Sequence, residues 1–199
     1  ITYYPLMVSD STRKLVSNTL GRVDYGQEET LYRQIEKRLT PNYSFSSAWC
    51  FSRRHTASII DEYIVDYDEY AGLGSGAIGY LQGVCYANTF DINRYIAMLD
   101  RGEAPIWASR HFTVKDKIRY DFLMKLFATK LNLQDLQKKY TGSLYRNLWP
   151  DILAFWLLGG LRYEAPYLHL THRGRYLWVI MMREFFIAVN NFRDFCRNG

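Results

Sequence analysis

The chain has 199 residues, 48% of them hydrophobic, which is enough to bury a core in one domain or two small ones and excludes a disordered tail. A formal charge of +5 makes the surface mildly basic without a polybasic block, so charge alone selects no partner among nucleic acid, an anionic small molecule or none. Cys50, Cys85 and Cys196 are odd in number and far apart, which does not suggest a disulfide framework and suits a reducing cytoplasm.

The chain opens on Ile1-Thr2-Tyr3-Tyr4-Pro5-Leu6-Met7, which reads as a buried strand starting at the first residue, as expected of an internal piece of a longer protein. Ser9-Asp10-Ser11-Thr12 then offers capping side chains for a short helix that Gly21 ends. A second helix is predicted from Glu28 to Leu39, with Leu31, Ile35 and Leu39 on one face. Pro41 stops it, and Tyr43 to Ser52 alternates small polar with aromatic residues as a strand does. Strand, helix and strand in this order predict a parallel α/β layer, whose ligands gather at the carboxyl ends of the strands. Ile59 to Val65 is read as a further strand.

Gly72-Leu73-Gly74-Ser75-Gly76-Ala77-Ile78-Gly79 follows, with four glycines in eight residues. Glycine at this density serves either a tight loop between packed elements or a main chain that comes within contact of a ligand. Gly72-x-Gly74-x-x-Ala77 also satisfies a dinucleotide-binding fingerprint, with Asp91 near the position expected for a ribose contact. That fingerprint needs a helix to start within the motif, and Ile78-Gly79-Tyr80-Leu81-Gln82-Gly83 is a poor helix start, so nicotinamide and flavin binding are set aside.

Asp91 to Leu99 is predicted as a short helix with Ile92, Tyr95, Ile96 and Leu99 on one side. After Pro105 the pattern turns helical: Lys115 to Ala128, Asn132 to Tyr140 and Ser143 to Leu158, then a hairpin over Leu161 to Leu170 with its turn at Glu164-Ala165-Pro166. Three helices and a hairpin make a winged-helix signature. A last helix begins after a Thr171 cap and carries Trp178, Met182, Phe185, Val189 and Phe192 as a stripe suited to lashing this part to the preceding one.

Few residues ask for a chemical role on type alone. His55, His111, His169 and His172 lack metal-ligand spacing, so no metal site is expected. No apolar run reaches the length of about 18 residues needed for a membrane span. A winged helix could bind DNA, but Ser143 to Leu158 is almost wholly apolar with Arg146 its one basic residue, so no nucleic-acid partner is expected. Arg53 and Arg54, beyond a strand end, could clasp carboxylates such as propionates through their planar forks, against the alternative of solvated surface charge.

Several segments together resemble a known family. They are the I-T-Y-Y-P-L opening, Tyr43-Ser44-Phe45-Ser46-Ser47-Ala48-Trp49-Cys50-Phe51-Ser52-Arg53, Glu69-Tyr70-Ala71-Gly72-Leu73-Gly74-Ser75-Gly76-Ala77-Ile78, Tyr86-Ala87-Asn88-Thr89, Tyr95 to Gly102, and Leu168-His169-Leu170-Thr171-His172-Arg173-Gly174. In this order they are similar to the C-terminal half of the oxygen-independent coproporphyrinogen III oxidases, which are radical S-adenosylmethionine (SAM) proteins. The likeness covers almost the whole chain. It lacks the family's C-x-x-x-C-x-x-C motif, which holds a 4Fe–4S cluster through three thiolates and lies upstream in the family.

The resemblance implies an α/β fold in which residues 1–108 are the C-terminal portion of a partial (β/α) radical-SAM barrel and residues 109–199 a mostly helical winged-helix-like domain. It implies a cluster and SAM in the full-length protein, neither held by this chain alone, with the radical chemistry belonging to the cofactor. The substrate implied is a tetrapyrrole, with oxidative decarboxylation of coproporphyrinogen III to protoporphyrinogen IX in the best-known members and heme or another tetrapyrrole in relatives. Gly74, Ser75, Gly76, Ala77 and Ile78 match a loop beside the cofactor pocket, Ile78 matching an apolar contact to a second cofactor molecule. Tyr4 falls where a smaller residue touches the cofactor in a relative. No catalytic residue is assigned, and the implied partner is the N-terminal half of the same protein.

Overall fold

Capping side chains set most of the helix starts in the computed structural model, which describes residues 1–55 and 67–198. Helix α1 spans Asp10–Leu20 and α2 Tyr25–Leu39, where the Asp24 carboxylate accepts the Gly26 and Gln27 N–H groups. The antiparallel strands β1 (Tyr43–Phe45) and β2 (Phe51–Arg53) follow. Beyond the glycine run come β3 (Ile78–Leu81), β4 (Val84–Asn88), α3 (Ile92–Asp100), capped by Asp91, and β5 (Ile106–His111). Helix α4 (Val114–Phe127) opens on a capping box between Thr113 and Asp116, which satisfies two amide donors that the helix itself cannot. The rest is β6 (Lys130–Asn132), α5 (Leu133–Lys139), α6 (Leu144–Leu157), β7 (Leu161–Glu164), β8 (Tyr167–Leu170) and α7 (His172–Asn198). Thr171 caps α7 as expected, its hydroxyl oxygen accepting the Gly174 N–H at 2.9 Å.

Every ladder among the described residues is antiparallel, in sheets ordered β1-β2, β3-β4-β5 and β6-β8-β7. The α/β class stands, but the expected parallel layer does not. A parallel pair needs a crossover of a dozen or more residues, and β1 and β2 are joined by the short turn through Ser46 to Cys50. No closed barrel is present among the described residues. The opening segment is also less buried than expected. It makes one bridge, Thr2 with Cys50, and leaves Ile1 59%, Tyr4 58% and Leu6 49% exposed, because protein packs on one side of it only.

Two helical faces differ from the apolar pattern. Helix α2 buries Tyr32 and Glu36 rather than Leu31, because the Tyr32 hydroxyl donates to the Ala48 carbonyl while Glu36 receives Arg175 and His172 from α7. Helix α3 buries nothing; Ile92, Ile96 and Leu99 all face outward. The strand expected over Ile59 to Val65 lies outside the described residues.

One core runs through both ends of the chain. Tyr32, Ala48 and Trp49 join Ile118, Leu126, Phe127, Leu148, Trp178, Val179 and Met182 in a single buried cluster. Trp178 meets Phe122 and Phe155 ring to ring and donates its indole N–H to the Leu123 carbonyl at 3.1 Å. Polar residues of α7 then tie it to the start of the chain. Arg183 reaches both Glu28 oxygens at 2.7 and 2.8 Å, Asn191 bonds Asp10 at 2.7 Å, and Asp194 accepts the Ser11 hydroxyl at 2.6 Å. The last helix therefore lashes the two ends together, as its stripe suggested.

Candidate functional site

Strand β4 presents Tyr86 and Asn88 on one face, since alternate residues of a strand point the same way, and both side chains reach the glycine loop. The Asn88 amide donates to two loop carbonyls, Gly72 at 3.1 Å and Gly74 at 3.0 Å. The Tyr86 hydroxyl accepts the Gly72 N–H at 3.0 Å, and the Tyr95 hydroxyl of α3 accepts the Gly74 N–H at 3.1 Å. The Thr89 carbonyl accepts both the Gly76 N–H and the Ser75 hydroxyl. With the Ala77 N–H bonded to the Gly74 carbonyl, four of the loop's amide donors are consumed by the protein itself, so they do not form an anion-binding nest.

The four glycines divide by what surrounds them. A side chain at Gly72 would lie 2.6 Å from the Ile78 carbonyl group, and one at Gly79 would sit inside the Tyr86 ring. These two are backbone meeting its own fold. Gly74, at φ +101°, has open space where a Cβ would point. The loop's accessible side is therefore the stretch about Leu73, Gly74 and Ser75, with Leu73 86% exposed. After it the chain enters β3 at Ile78 and not a helix, which agrees with setting the dinucleotide fingerprint aside.

Behind the loop lies an aromatic and ionic support. Tyr70 bridges to Tyr80 across the strand, and its hydroxyl meets that of Tyr120 at 2.9 Å, while Tyr80 packs on Tyr120 and Phe112. Burial, and then the neighbouring Tyr70, push the Tyr120 phenol far above its ordinary range, so it stays protonated. Asp68 pairs with Lys125 at 3.0 Å and Lys139 at 3.1 Å, and Lys139 also reaches the buried Asp121 at 2.8 Å. Tyr140 gives Asp121 a second donor at 2.8 Å. Burial works to raise the Asp68 carboxyl, but hydrogen bonds from Lys125 and Lys139 outweigh it and hold it below the usual carboxylate range.

The other candidate residues stand on a different ladder. Tyr4 lays its ring edge-on against Trp49 at 5.3 Å. Arg53 ends β2 opposite Tyr43, and Arg54 turns its Nε–H back to the Tyr43 carbonyl at 3.2 Å, so part of its fork is spent on its own hairpin. Gly74 to Ile78 form one continuous loop-to-strand segment, but Tyr4, Arg53 and Arg54 belong to the β1–β2 end of the molecule. The sequence reading gave Asn88, Tyr86 and Tyr95 no role; the Tyr86-Ala87-Asn88-Thr89 motif after a glycine loop was the available signal.

The three cysteines stand on separate parts of the fold. Cys50 is buried beside the Thr2 hydroxyl, Cys85 lies in β4 and Cys196 in α7. Burial pushes the Cys85 thiol up, against the thiolate that a cluster needs. Among the described residues no group of three or more histidines, cysteines or carboxylates is placed to hold a metal. No helix of the described chain is long and apolar enough to cross a membrane.

No protein-family model matches the chain. Over 113 residues it is 29% identical to the oxygen-independent coproporphyrinogen III oxidase of Pseudomonas aeruginosa, a match covering 55% of this chain and 25% of that protein. Its fold is similar, with a TM-score of 0.55, to the coproporphyrinogen III oxidase of Escherichia coli, a radical SAM enzyme. The identity there is 17%, and the match covers 77% of this chain and 40% of that one. The chain thus spans a quarter of the curated relative's length and two-fifths of the solved structure's. The resemblance read from the sequence holds in both comparisons: this chain is similar to part of an oxygen-independent coproporphyrinogen III oxidase, consistent with a C-terminal piece of such a protein.

Proposed function

We propose that the chain is part of a cytoplasmic radical SAM enzyme that oxidatively decarboxylates coproporphyrinogen III to protoporphyrinogen IX in heme biosynthesis. The observation that carries this reading is one stretch of chain matching such oxidases in sequence over 113 residues and in fold over 77% of its length. Residues 1–108 then form the C-terminal portion of a partial barrel, and residues 109–199 a winged-helix-like domain. The order α4, β6, α5, α6, β7, β8 supports the second assignment, because it is the helix and hairpin succession of a winged helix. No nucleic-acid partner is assigned, because Arg146 is the one basic residue of α6.

In this reading the cluster ligands belong to the N-terminal half of the same protein, since the cysteines here do not fit the group. The exposed apolar side chains of Ile1 and Leu6 support a seat for that half. SAM, whose cleavage supplies the oxidising radical, would approach the segment Gly74, Ser75, Gly76, Ala77 and Ile78 from its accessible end at Gly74 and Ser75. The role of Asn88, Tyr86 and Tyr95 is to hold that face in place. Tyr4 would stand at the cofactor's edge, and Arg53 and Arg54 would receive substrate propionates.

The test is an anaerobic assay of the intact protein with its cluster restored. Release of deoxyadenosine together with carbon dioxide from coproporphyrinogen III is expected, and the 199-residue chain alone should release neither. Deoxyadenosine formed without decarboxylation would redirect the assignment to a relative acting on heme or another tetrapyrrole. Substituting Arg53 and Arg54 with Ala should raise KM with little change in kcat; an unchanged KM would remove both arginines from the substrate site.

A further inference from the structure

A cleft of about 390 Å³ opens beside the glycine loop, whose Ser75 hydroxyl and Gly76 N–H both bond the carbonyl of Thr89 in its lining. The first turn of α3, the start of β5 and the last turn of α7 converge there, bringing Phe90, Asp91, Arg94, Trp107, Cys196 and Arg197 to one wall. The volume falls within the range of small-molecule pockets, about 300–1,000 Å³.

Its lining is mainly basic and aromatic. The Arg94 guanidinium carbon lies 4.1 Å from the centre of the Trp107 ring, within cation–π reach. Among the described residues neither Arg94 nor Arg197 forms a close ion pair, though Arg197, after Ser11, Ser9 and Arg193, helps to hold the Asp194 carboxyl below its usual range. The acid in the wall, Asp91, already caps α3 by accepting the Arg94 backbone N–H at 2.8 Å. Trp107 also hydrogen-bonds the Cys196 sulfur, and burial is the larger influence there, keeping that thiol neutral. The wall thus offers two guanidinium groups, one over an indole, beside two aromatic rings.

We propose that this cleft binds an organic carboxylate carried on a flat apolar body, with the carboxylate clasped between Arg94 and Arg197 and the body laid against Trp107 and Phe90. A guanidinium fork matches a carboxylate in two parallel hydrogen bonds, and a flat body displaces water from the rings. Inorganic phosphate would engage the arginines but leave the rings wet. The assignment is independent of the radical reading, since none of these residues belongs to the loop's accessible face.

Calorimetric titration of the intact protein with naphthalene-2,6-dicarboxylate, its dimethyl ester and inorganic phosphate tests it. The dicarboxylate should bind, and the ester and phosphate should each bind at least about ten-fold more weakly. Arg94→Met and Arg197→Met should each weaken the dicarboxylate by about ten-fold or more, and Arg94→Lys should weaken it too, since it keeps the charge but loses the fork. Arg197 is exposed in the last turn of α7, so Arg197→Met keeps the test decisive if the Arg94 variants fold poorly. No detectable dicarboxylate binding, equal binding of ester or phosphate, or affinities within about two-fold across the variants would each overturn the proposal.

Discussion

Residues 67–111 and residues 113–198 are held in different ways. In the second region Ile118, Leu126, Phe127, Leu148, Trp178, Val179 and Met182 are wholly buried against one another. In the first, Ile92 is 66% and Ile96 51% exposed, and order comes from side chains that satisfy backbone groups, chiefly Asn88, Tyr86 and Tyr95. A packed region is sensitive to lost volume, because voids forfeit both transfer energy and contacts. A region built on polar satisfaction is sensitive to lost donors, because a buried carbonyl without a partner carries its full desolvation cost.

The largest effect should come from Trp178→Ala. It removes a fully buried ring that touches Phe122 and Phe155, at a cost of about 3–5 kcal/mol in denaturant unfolding. Ile96→Ala on the exposed face of α3 should change stability by no more than about 0.5 kcal/mol. A comparable loss in both variants would erase the contrast between the regions.

Asn88→Ala sharpens the other side of the comparison. It strips the Gly72 and Gly74 carbonyls of their shared donor, for a loss of about 1–3 kcal/mol concentrated in the loop. Hydrogen exchange of the Gly74 and Gly76 amides should accelerate while that of α4 amides stays unchanged. Gly72→Ala should loosen the same amides, since its Cβ would collide with the Ile78 backbone. Gly74→Ala meets open space and pays only for its positive φ, about 1 kcal/mol. If Asn88→Ala leaves these exchange rates unchanged, the loop is held by something other than the Asn88 amide.

What the sequence made legible follows from local signals. Thr171 caps α7, and the Glu164-Ala165-Pro166 turn falls between β7 and β8, because capping and turn chemistry is decided within a few residues. Tertiary partners decided the misreadings. The buried face of α2 is set by Arg175 and His172, more than a hundred residues away, which draw Glu36 inward past Leu31. The antiparallel ladders depend on how short connections fold, which alternating hydrophobicity does not record. The glycine loop showed its need for close backbone approach, but the approaching groups are Ile78 and Tyr86 of the same fold. Asn88 was hidden because a single buried amide leaves no periodic trace.

A small effect concerns the joint between the two regions, where Asp68 from the first meets Lys125 and Lys139 from the second. Burial draws the Lys139 ammonium down, but bonds to Asp121 and Asp68 outweigh it, leaving its pKa above the ordinary 10.5. Asp68 is held below the ordinary 3.8. A depressed acid contributes stability above its unfolded pKa and loses it as pH falls through the folded value; a raised amine contributes below its unfolded pKa and loses it as pH rises through the folded value. The joint should therefore be intact across neutral pH, weakening below pH 3.8 from Asp68 and above pH 10.5 from Lys139. Because Lys139 and Asp68 are both partly exposed, Asp68→Asn should cost only about 1 kcal/mol or less near neutrality. Melting temperatures of wild type and Asp68→Asn should differ by a constant amount from about pH 5 to 9 and converge as the acid is protonated. A gap that persists undiminished well below pH 3.8 would mean that Asp68 joins the regions by shape rather than by charge.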